Sequence, residues 1–219
     1  SRFDIPAFLM TLATNQVLYG IVQYITQNKL INVMNAKAFN TIGSARILGI
    51  PVPVYILLIC FLVSYVVLNH TVYGRNLYSV GGNREASKLS GINCRKVICI
   101  AYMISGFMGA LSGLILSSMN QQASATQATG YENDVLAAIV VGGISLRGGS
   151  GTHQGAMFGA FLIGIISNGL RLLGIDAIYH DLVKGVIIIA AIAFDMYSSY
   201  SMSGMKKRGP FRRKASSAE

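Results

Sequence analysis

The strongest constraint on this chain is a set of four long runs that contain no charged residue. Asp, Glu, Lys and Arg are absent from residues 5–28, 47–74, 97–131 and 148–170, which gives runs of 24, 28, 35 and 23 residues. A transmembrane helix needs about 20 mostly apolar residues. Only 12% of the chain is charged, whereas soluble domains carry about 25%. The sequence therefore predicts an integral membrane protein of the all-α class.

Apolar stretches predict six membrane segments in a polytopic transmembrane helical bundle. The bundle is assigned to residues 1–200, and a basic cytoplasmic tail follows at 201–219. The loop at 27–50 is expected to be external and to hold a short surface helix. The six segments are predicted at residues 5–26, 52–69, 97–118, 134–145, 155–173 and 182–194.

The fourth segment is too short to cross a membrane as a helix. Its 12 residues would rise about 18 Å, against a hydrocarbon core of about 30 Å. We expect extended backbone in the next stretch, VGGISLRGGSG, to complete the crossing. Such backbone is tolerated at membrane depth only where protein or a water-filled cavity surrounds it. This stretch, with Gly142 and Gly143, is therefore predicted to line a translocation path.

The distribution of basic residues predicts the topology. Six Lys and Arg residues crowd into nine positions of the tail, which places the C-terminus in the cytoplasm. Six crossings then leave 13 basic residues inside and four outside, in agreement with the positive-inside rule. The net charge of +10 is explained by these connections, so no nucleic-acid partner is predicted.

The sequence carries no recognisable catalytic or metal-binding motif. It lacks GxxxxGK followed by Ser or Thr, so ATP and Mg²⁺ are not expected to bind this chain. His70, His153 and His180 lie on different connections, and no metal site is predicted. An ion-driven carrier would need an acid deep within a span, which the predicted segments do not contain. We therefore predict that the chain is not an enzyme.

A few polar residues in or beside the spans are candidates for a translocation path. Asn15 and Asn168 lie within predicted spans, where polar groups face a bundle interior or an aqueous cavity. Interhelical hydrogen bonding and substrate contact both remain open for them. Glu132 and Asp134 are expected at the external start of the fourth segment. There they either favour the helix N-terminus and its dipole or act at an external gate.

Small residues recur every four positions on two predicted spans. Gly109 and Gly113 belong to such a stripe on the third segment, and Gly155 and Gly159 to one on the fifth. In lipid this spacing lets helix backbones approach closely. Close packing and sliding during gating both fit the pattern.

A short charged stretch, GGNREASKLSGIN at residues 81–93, interrupts the apolar runs. Gly74 and the pair Gly81 and Gly82 are expected to break the preceding helix. Asn83 is expected to cap a helix over residues 84–89, which Gly91 then ends. Two helical turns are not stable alone in water, so this helix needs a surface to dock against.

The stretches YGRNLYSVGGNREASKLSGIN, GYENDVLAAIVVGGISLRGGSG and YHDLVKGVIIIAAIAFD resemble the membrane permease subunits of bacterial monosaccharide ABC importers. These are importers of the ribose, xylose, arabinose and methyl-galactoside type. The resemblance covers nearly the whole chain up to the basic tail. The GGNREASKLSGI and LAAIVVGGISLRGG blocks occur in the order and spacing of the family.

The resemblance implies an all-helical permease of the bacterial cytoplasmic membrane. It implies a pair of permease subunits, two cytoplasmic ATPase domains that hold ATP and Mg²⁺, and a periplasmic or extracellular sugar-binding protein. The charged stretch would be the coupling helix that docks into the ATPase, and residues 136–149 would line the path of a simple sugar. The predicted coupling residues are Gly81, Gly82, Asn83, Glu85, Ala86, Ser87, Gly91 and Ile92.

The chain departs from the family pattern at two points. Ser87 stands where relatives often have a second Ala, and family members are about half as long again, with further helices before the point that matches Ile5. We therefore expect the N-terminal part of the family domain to be missing from this sequence. A permease for branched-chain amino acids or nucleosides, and a truncated membrane scaffold that does not transport, are the alternatives.

Overall fold

The structure is a computed structural model, which describes residues 7–145 and 148–175 and the single positions 179, 182, 183, 185, 186 and 189. The predicted all-α class is confirmed. The tail at 201–219, and the sixth segment at 182–194 apart from those single positions, lie outside the described residues. The helices are α1 (Ala7–Thr26), α2 (Lys37–Ser44), α3 (Val52–His70), α4 (Val72–Gly82), α5 (Arg84–Leu89), α6 (Cys94–Asn120), α7 (Tyr131–Val141) and α8 (His153–Leu172), and the two-residue strands are β1 (Ile31–Asn32), β2 (Arg46–Ile47), β3 (Ile50–Pro51) and β4 (Gln122–Ala123).

Within the described ranges, three helices are long and apolar enough to cross a membrane: α3, α6 and α8. They agree to within three residues with the predicted second, third and fifth segments. Helix α1 has the length of a span, 20 residues, but it is not among these three. Polar side chains in its middle, including Thr14, Asn15 and Gln16, lower its hydropathy. Its crossing therefore stays a prediction.

The described chain divides into two compact units. The first contains residues up to Leu77 together with Glu85–Tyr131, and the second contains Tyr78–Arg84 together with the residues from Glu132 onward. In the first unit, β1 pairs antiparallel with β4, and β2 pairs with β3 in a hairpin. The hairpin turn has positive φ at Leu48 and Gly49, the geometry that fits the twist of a two-residue loop.

Helix α2 is tied to the C-terminal end of α6 within the first unit. Ser118 is fully buried, and its hydroxyl donates to the Phe39 carbonyl oxygen at 2.7 Å and accepts from the Gly43 N–H at 2.8 Å. A Cβ on Gly43 would lie 2.5 Å from the backbone nitrogen of Met119. The short helix expected in the loop at 27–50 is therefore present, and it is anchored by hydrogen bonds to the buried Ser118 hydroxyl.

The break between α3 and α4 falls at Thr71, whose backbone is extended. Gly74 lies in the first turn of α4, so the prediction that it breaks the helix is wrong. A Cβ at Gly74 would overlap the carbonyl oxygen of Leu68. Glycine is needed at position 74 because α4 begins close against the end of α3.

Tyr73 links α4 to the start of α6. Its hydroxyl donates to the Val97 carbonyl oxygen at 3.2 Å. Burial raises the pKa of Tyr73 above its ordinary value of 10.0, because an apolar surrounding disfavours the phenolate. The hydroxyl therefore stays protonated and keeps donating across the physiological pH range.

Candidate functional site

The charged stretch forms the helix that the sequence predicts. Helix α5 spans Arg84–Leu89, one residue after the end of α4. Gly91 has φ +80, the Ile92 N–H donates to the Ser87 carbonyl at 3.0 Å, and the Gly91 N–H donates to the Lys88 carbonyl at 3.1 Å. These are the two bonds of a Schellman motif, which satisfies the last carbonyls of a helix. The predicted end at Gly91 is confirmed.

The side chains of α5 divide into one buried residue and an exposed remainder. Ser87 is only 2% exposed, whereas Leu89 is 91% exposed. Arg84, Glu85, Ala86 and Lys88 are also exposed. Ser87 was predicted to contribute to the coupling surface, but its side chain faces inward. The small residue at this position is explained by packing within the chain.

Leu89 is a candidate contact residue that the predicted coupling set omitted. A large apolar side chain, nearly fully exposed on a short charged helix, costs free energy in water until another surface covers it. The sequence held this signal, because Leu89 is the one large apolar residue within Arg84–Leu89. Its exposed face, with the charges beside it, forms a candidate docking surface of mixed apolar and charged character.

Helix α7 differs in its bounds from the predicted fourth segment. It spans Tyr131–Val141, 11 residues, and therefore rises about 17 Å. The predicted shortness is confirmed, but the extended backbone expected after it is wrong. Gly143 (φ +73) ends α7 in a Schellman motif, with the Gly143 N–H bonded to the Val140 carbonyl and the Ile144 N–H to the Ile139 carbonyl.

A closed loop follows α7 in place of an extended strand. The Ser145 N–H donates to the Ser150 carbonyl at 3.1 Å, and the Gly148 N–H donates to the Ser145 carbonyl at 3.0 Å. Gly148, Gly149 and Gly151 all have positive φ. Glycine adopts these angles without steric cost, so this glycine-rich sequence turns back on itself.

Helices α7 and α8 pack antiparallel with their backbones in contact. A Cβ on Gly155 would overlap the Gly142 carbonyl oxygen, and one on Gly159 would overlap the Ala138 carbonyl oxygen. Ala137, Ala138 and Ile163 form the buried cluster beside this contact. The glycine stripe of α8 therefore packs helices closely. On α6, by contrast, a Cβ at Gly109 or Gly113 would meet no described atom within 4 Å.

The register of this pair places the first turn of α7 beside the middle of α8. Ala138 lies against Gly159, and Glu132 lies six residues earlier, about 9 Å along the helix axis. Glu132 and Asp134 both belong to the first turn of α7. They are therefore level with residues near Ile163, not with an end of α8. Both residues lie at the start of the short helix, as predicted, and their position at an external surface stays a prediction.

The remaining path candidates lie on separate elements. Asn15 is exposed in the middle of α1, in the first unit. Gly142 and Gly143 lie at the end of α7, beside the start of α8. Asn168 is exposed on α8, 13 residues and about 20 Å along the axis from Gly155. Within the second unit, Glu132 and Asp134 are therefore level with the middle of α8, whereas Gly142 and Gly143 lie beside its start.

No cluster of three or more His, Cys, Asp or Glu residues that could hold a metal ion occurs in the described part of the chain. The predicted absence of a metal site stays a prediction for the protein as a whole.

Comparison with known proteins gives consistent matches. A family described as "Branched-chain amino acid transport system / permease component" matches residues 1–192. The chain is 41% identical over 200 residues to the ribose import permease protein of Haemophilus influenzae, covering 90% of this chain and 62% of that protein. It is 40% identical over 194 residues to the ribose import permease protein of Escherichia coli K12, covering 87% and 60%.

A relative named for a second sugar is similar over the same region. The L-arabinose transport system permease protein of Escherichia coli K12 is 33% identical over 197 residues, covering 90% of this chain and 60% of that protein. The chain thus spans about three fifths of the length of the curated relatives it matches. No solved structure was found to match it.

Proposed function

Because the chain belongs to the family of permease components of branched-chain amino acid transport systems, we propose that it forms the translocation path of an ATP-driven ABC importer. We further propose that the cargo is a simple sugar. The relatives named for ribose and arabinose support this cargo. The three long apolar helices fit a multi-pass membrane protein.

The observation that carries the proposal is α5 with its exposed Leu89. A separate ATPase subunit would cover this apolar side chain and pair with the exposed charges of Arg84, Glu85 and Lys88. Covering a fully exposed Leu contributes about 1.5–3 kcal/mol. ATP and Mg²⁺ would bind that subunit, and this chain itself would catalyse no reaction.

The proposed substrate path passes the first turn of α7. Broken or short membrane helices commonly direct their N-termini at a substrate near the bilayer midplane. Glu132 and Asp134 are level with the middle of α8, where carboxylates can accept hydrogen bonds from sugar hydroxyls. Asn15 and Asn168 would add further polar contacts along the path. A separate sugar-binding protein would supply the selectivity.

The proposed assembly has two permease copies in the bacterial inner membrane, each with a cytoplasmic C-terminus. The basic residues support this orientation, because five of them lie within α5 or close to it in the sequence, and the positive-inside rule places such residues in the cytoplasm. They are Arg75, Arg84, Lys88, Arg95 and Lys96. The side of the membrane that holds the ATPase is then the side that holds α5.

Co-purification and ATP hydrolysis test the proposal. The protein from its complete gene would be co-expressed with the neighbouring ATPase and binding-protein genes. We expect the ATPase subunit to co-purify and its hydrolysis to rise when sugar-loaded binding protein is added. Replacing Leu89 by Asp should reduce co-purification by at least tenfold, since a loss of about 1.4 kcal/mol is tenfold in affinity. Ser112→Ala, on the exposed face of α6, is the control.

A branched-chain amino acid importer is the second candidate, because the description of the matching family names that substrate class. Addition of a binding protein loaded with leucine in place of sugar separates the two. If the leucine-loaded protein stimulates ATP hydrolysis and the sugar-loaded protein does not, the result favours a branched-chain amino acid importer. If no ATPase co-purifies with the wild-type protein, the importer proposal is wrong.

A further inference from the structure

Two glycine pairs lie backbone against backbone within the second unit. A Cβ on Gly81, in α4, would lie 2.7 Å from the backbone nitrogen of Gly149, in the loop after α7. A Cβ on Gly148 would lie 3.0 Å from the Gly81 carbonyl oxygen, and one on Gly149 would lie 2.5 Å from the Gly82 nitrogen. We call this contact of Gly81 and Gly82 with Gly148 and Gly149 the glycine seam.

The seam joins two segments whose geometry is closely defined. On one side, Gly81 and Gly82 are the last two residues of α4. On the other, Gly148 and Gly149 have φ +86 and +76 and belong to the loop that the Ser145 and Ser150 backbones close. No side chain lies between the two backbones. A contact between two backbones without flexible side chains transmits a displacement directly, because neither segment can yield by a change of side-chain rotamer.

The glycine seam lies next to α5 in the sequence on one side, and on the other it includes the loop that follows α7, the helix of the proposed substrate path. Only Asn83 separates the seam from α5. The last residues of α4 and Arg84 belong to the same compact unit as α7 and α8, while the residues before Tyr78 and those of α5 from Glu85 onward belong to the other unit. The loop on the far side of the seam continues directly from the end of α7.

We infer that the glycine seam passes movement of α5 to α7 and thereby couples ATP hydrolysis to the substrate path. This inference rests on the proposed function, and it adds a positioning role for Gly148 and Gly149, which lie outside the docking surface. Without the seam, α5 can still bind the ATPase subunit, but its movement does not reach the first turn of α7.

Gly149→Ala tests the inference in the complete assembly with its ATPase and binding protein. The added methyl strikes the Gly82 backbone, and position 149 also has φ +76. Gly174→Ala is the control, because Gly174 has φ +69 and no described atom within 4 Å of an added Cβ. We expect Gly149→Ala to keep ATPase co-purification, and to lose at least about fivefold in stimulation by sugar-loaded binding protein. Gly174→Ala should retain stimulation.

Substitutions at Gly81 and Gly82, on the other side of the seam, should differ in how much stimulation they lose, which gives an independent test. The methyl of Gly81→Ala would lie 2.7 Å from the Gly149 nitrogen, but that of Gly82→Ala lies 3.9 Å from the Gly149 Cα, an ordinary contact. Both changes favour the helix equally, so stimulation should fall further in Gly81→Ala than in Gly82→Ala.

The possible results separate the inference from the proposed function. If the wild-type assembly shows no stimulation, the proposed function fails and the inference fails with it. If the wild type is stimulated and Gly149→Ala is stimulated equally, the proposed function stands and the seam does not couple. If both Gly149→Ala and Gly81→Ala fail to assemble while the controls assemble, the seam is a folding contact only, and the inference is overturned.

Discussion

Gly159→Ala should destabilise the protein by forcing α7 and α8 apart. The added methyl would overlap the Ala138 carbonyl oxygen and lie 2.8 Å from the Gly142 nitrogen. Overpacking costs about 1–3 kcal/mol, and we take the upper end because both obstacles are backbone atoms. The better helix propensity of Ala returns about 1 kcal/mol. The net loss is about 2 kcal/mol, or about 4–8 °C in Tm for a chain of this size.

The assay is thermal unfolding of the purified protein in detergent. Gly164→Ala, five residues further along α8, is the matched control, because an added Cβ there meets no described atom within 4 Å. It should leave the Tm unchanged or raise it slightly. If Gly159→Ala melts at or above the temperature of Gly164→Ala, the α7–α8 contact described here is not present in the protein.

Two further predictions concern the first unit. Ser118→Ala removes the hydroxyl that bonds the Phe39 carbonyl and the Gly43 N–H. Because unpaired buried groups of this kind cost about 1–3 kcal/mol, the Tm of the protein should fall. An unchanged Tm would contradict the anchoring of α2. Because burial raises the pKa of Tyr73, the native state holds its proton longer than the unfolded state, and stability should fall as the pH rises above 10.0. Tyr73→Phe should flatten this decline in unfolding measurements between pH 9 and 11; an equal decline in both proteins would contradict it.

The features that the sequence predicted correctly are those set by local composition. Long apolar runs define α3, α6 and α8, and the pattern from Asn83 to Gly91 defines α5. The resemblance carried by the GGNREASKLSGI and LAAIVVGGISLRGG blocks is confirmed by the permease family match together with the relatives named for ribose and arabinose. These features depend on neighbouring residues, whose hydropathy and turn preferences act without a distant partner.

The errors arose where a distant contact decides the role of a residue. Gly74 was predicted to break the helix, but it lies inside α4, where the Leu68 backbone approaches it. The predicted break at Gly81 and Gly82 is confirmed, because α4 ends at Gly82. Ser87 read as a surface residue, but it is buried. A glycine in sequence does not reveal whether it permits a turn or a close approach, since the contacting backbone can be many residues away.

ATP-driven uptake into proteoliposomes is the measurement that tests the central claim most directly. The complete assembly would be reconstituted with ATP on the α5 side and labelled ribose, loaded on its binding protein, on the other. The account predicts sugar uptake that requires ATP and is lost when Leu89 is replaced by Asp. Uptake that continues without ATP, or that is unchanged by Leu89→Asp, would contradict it.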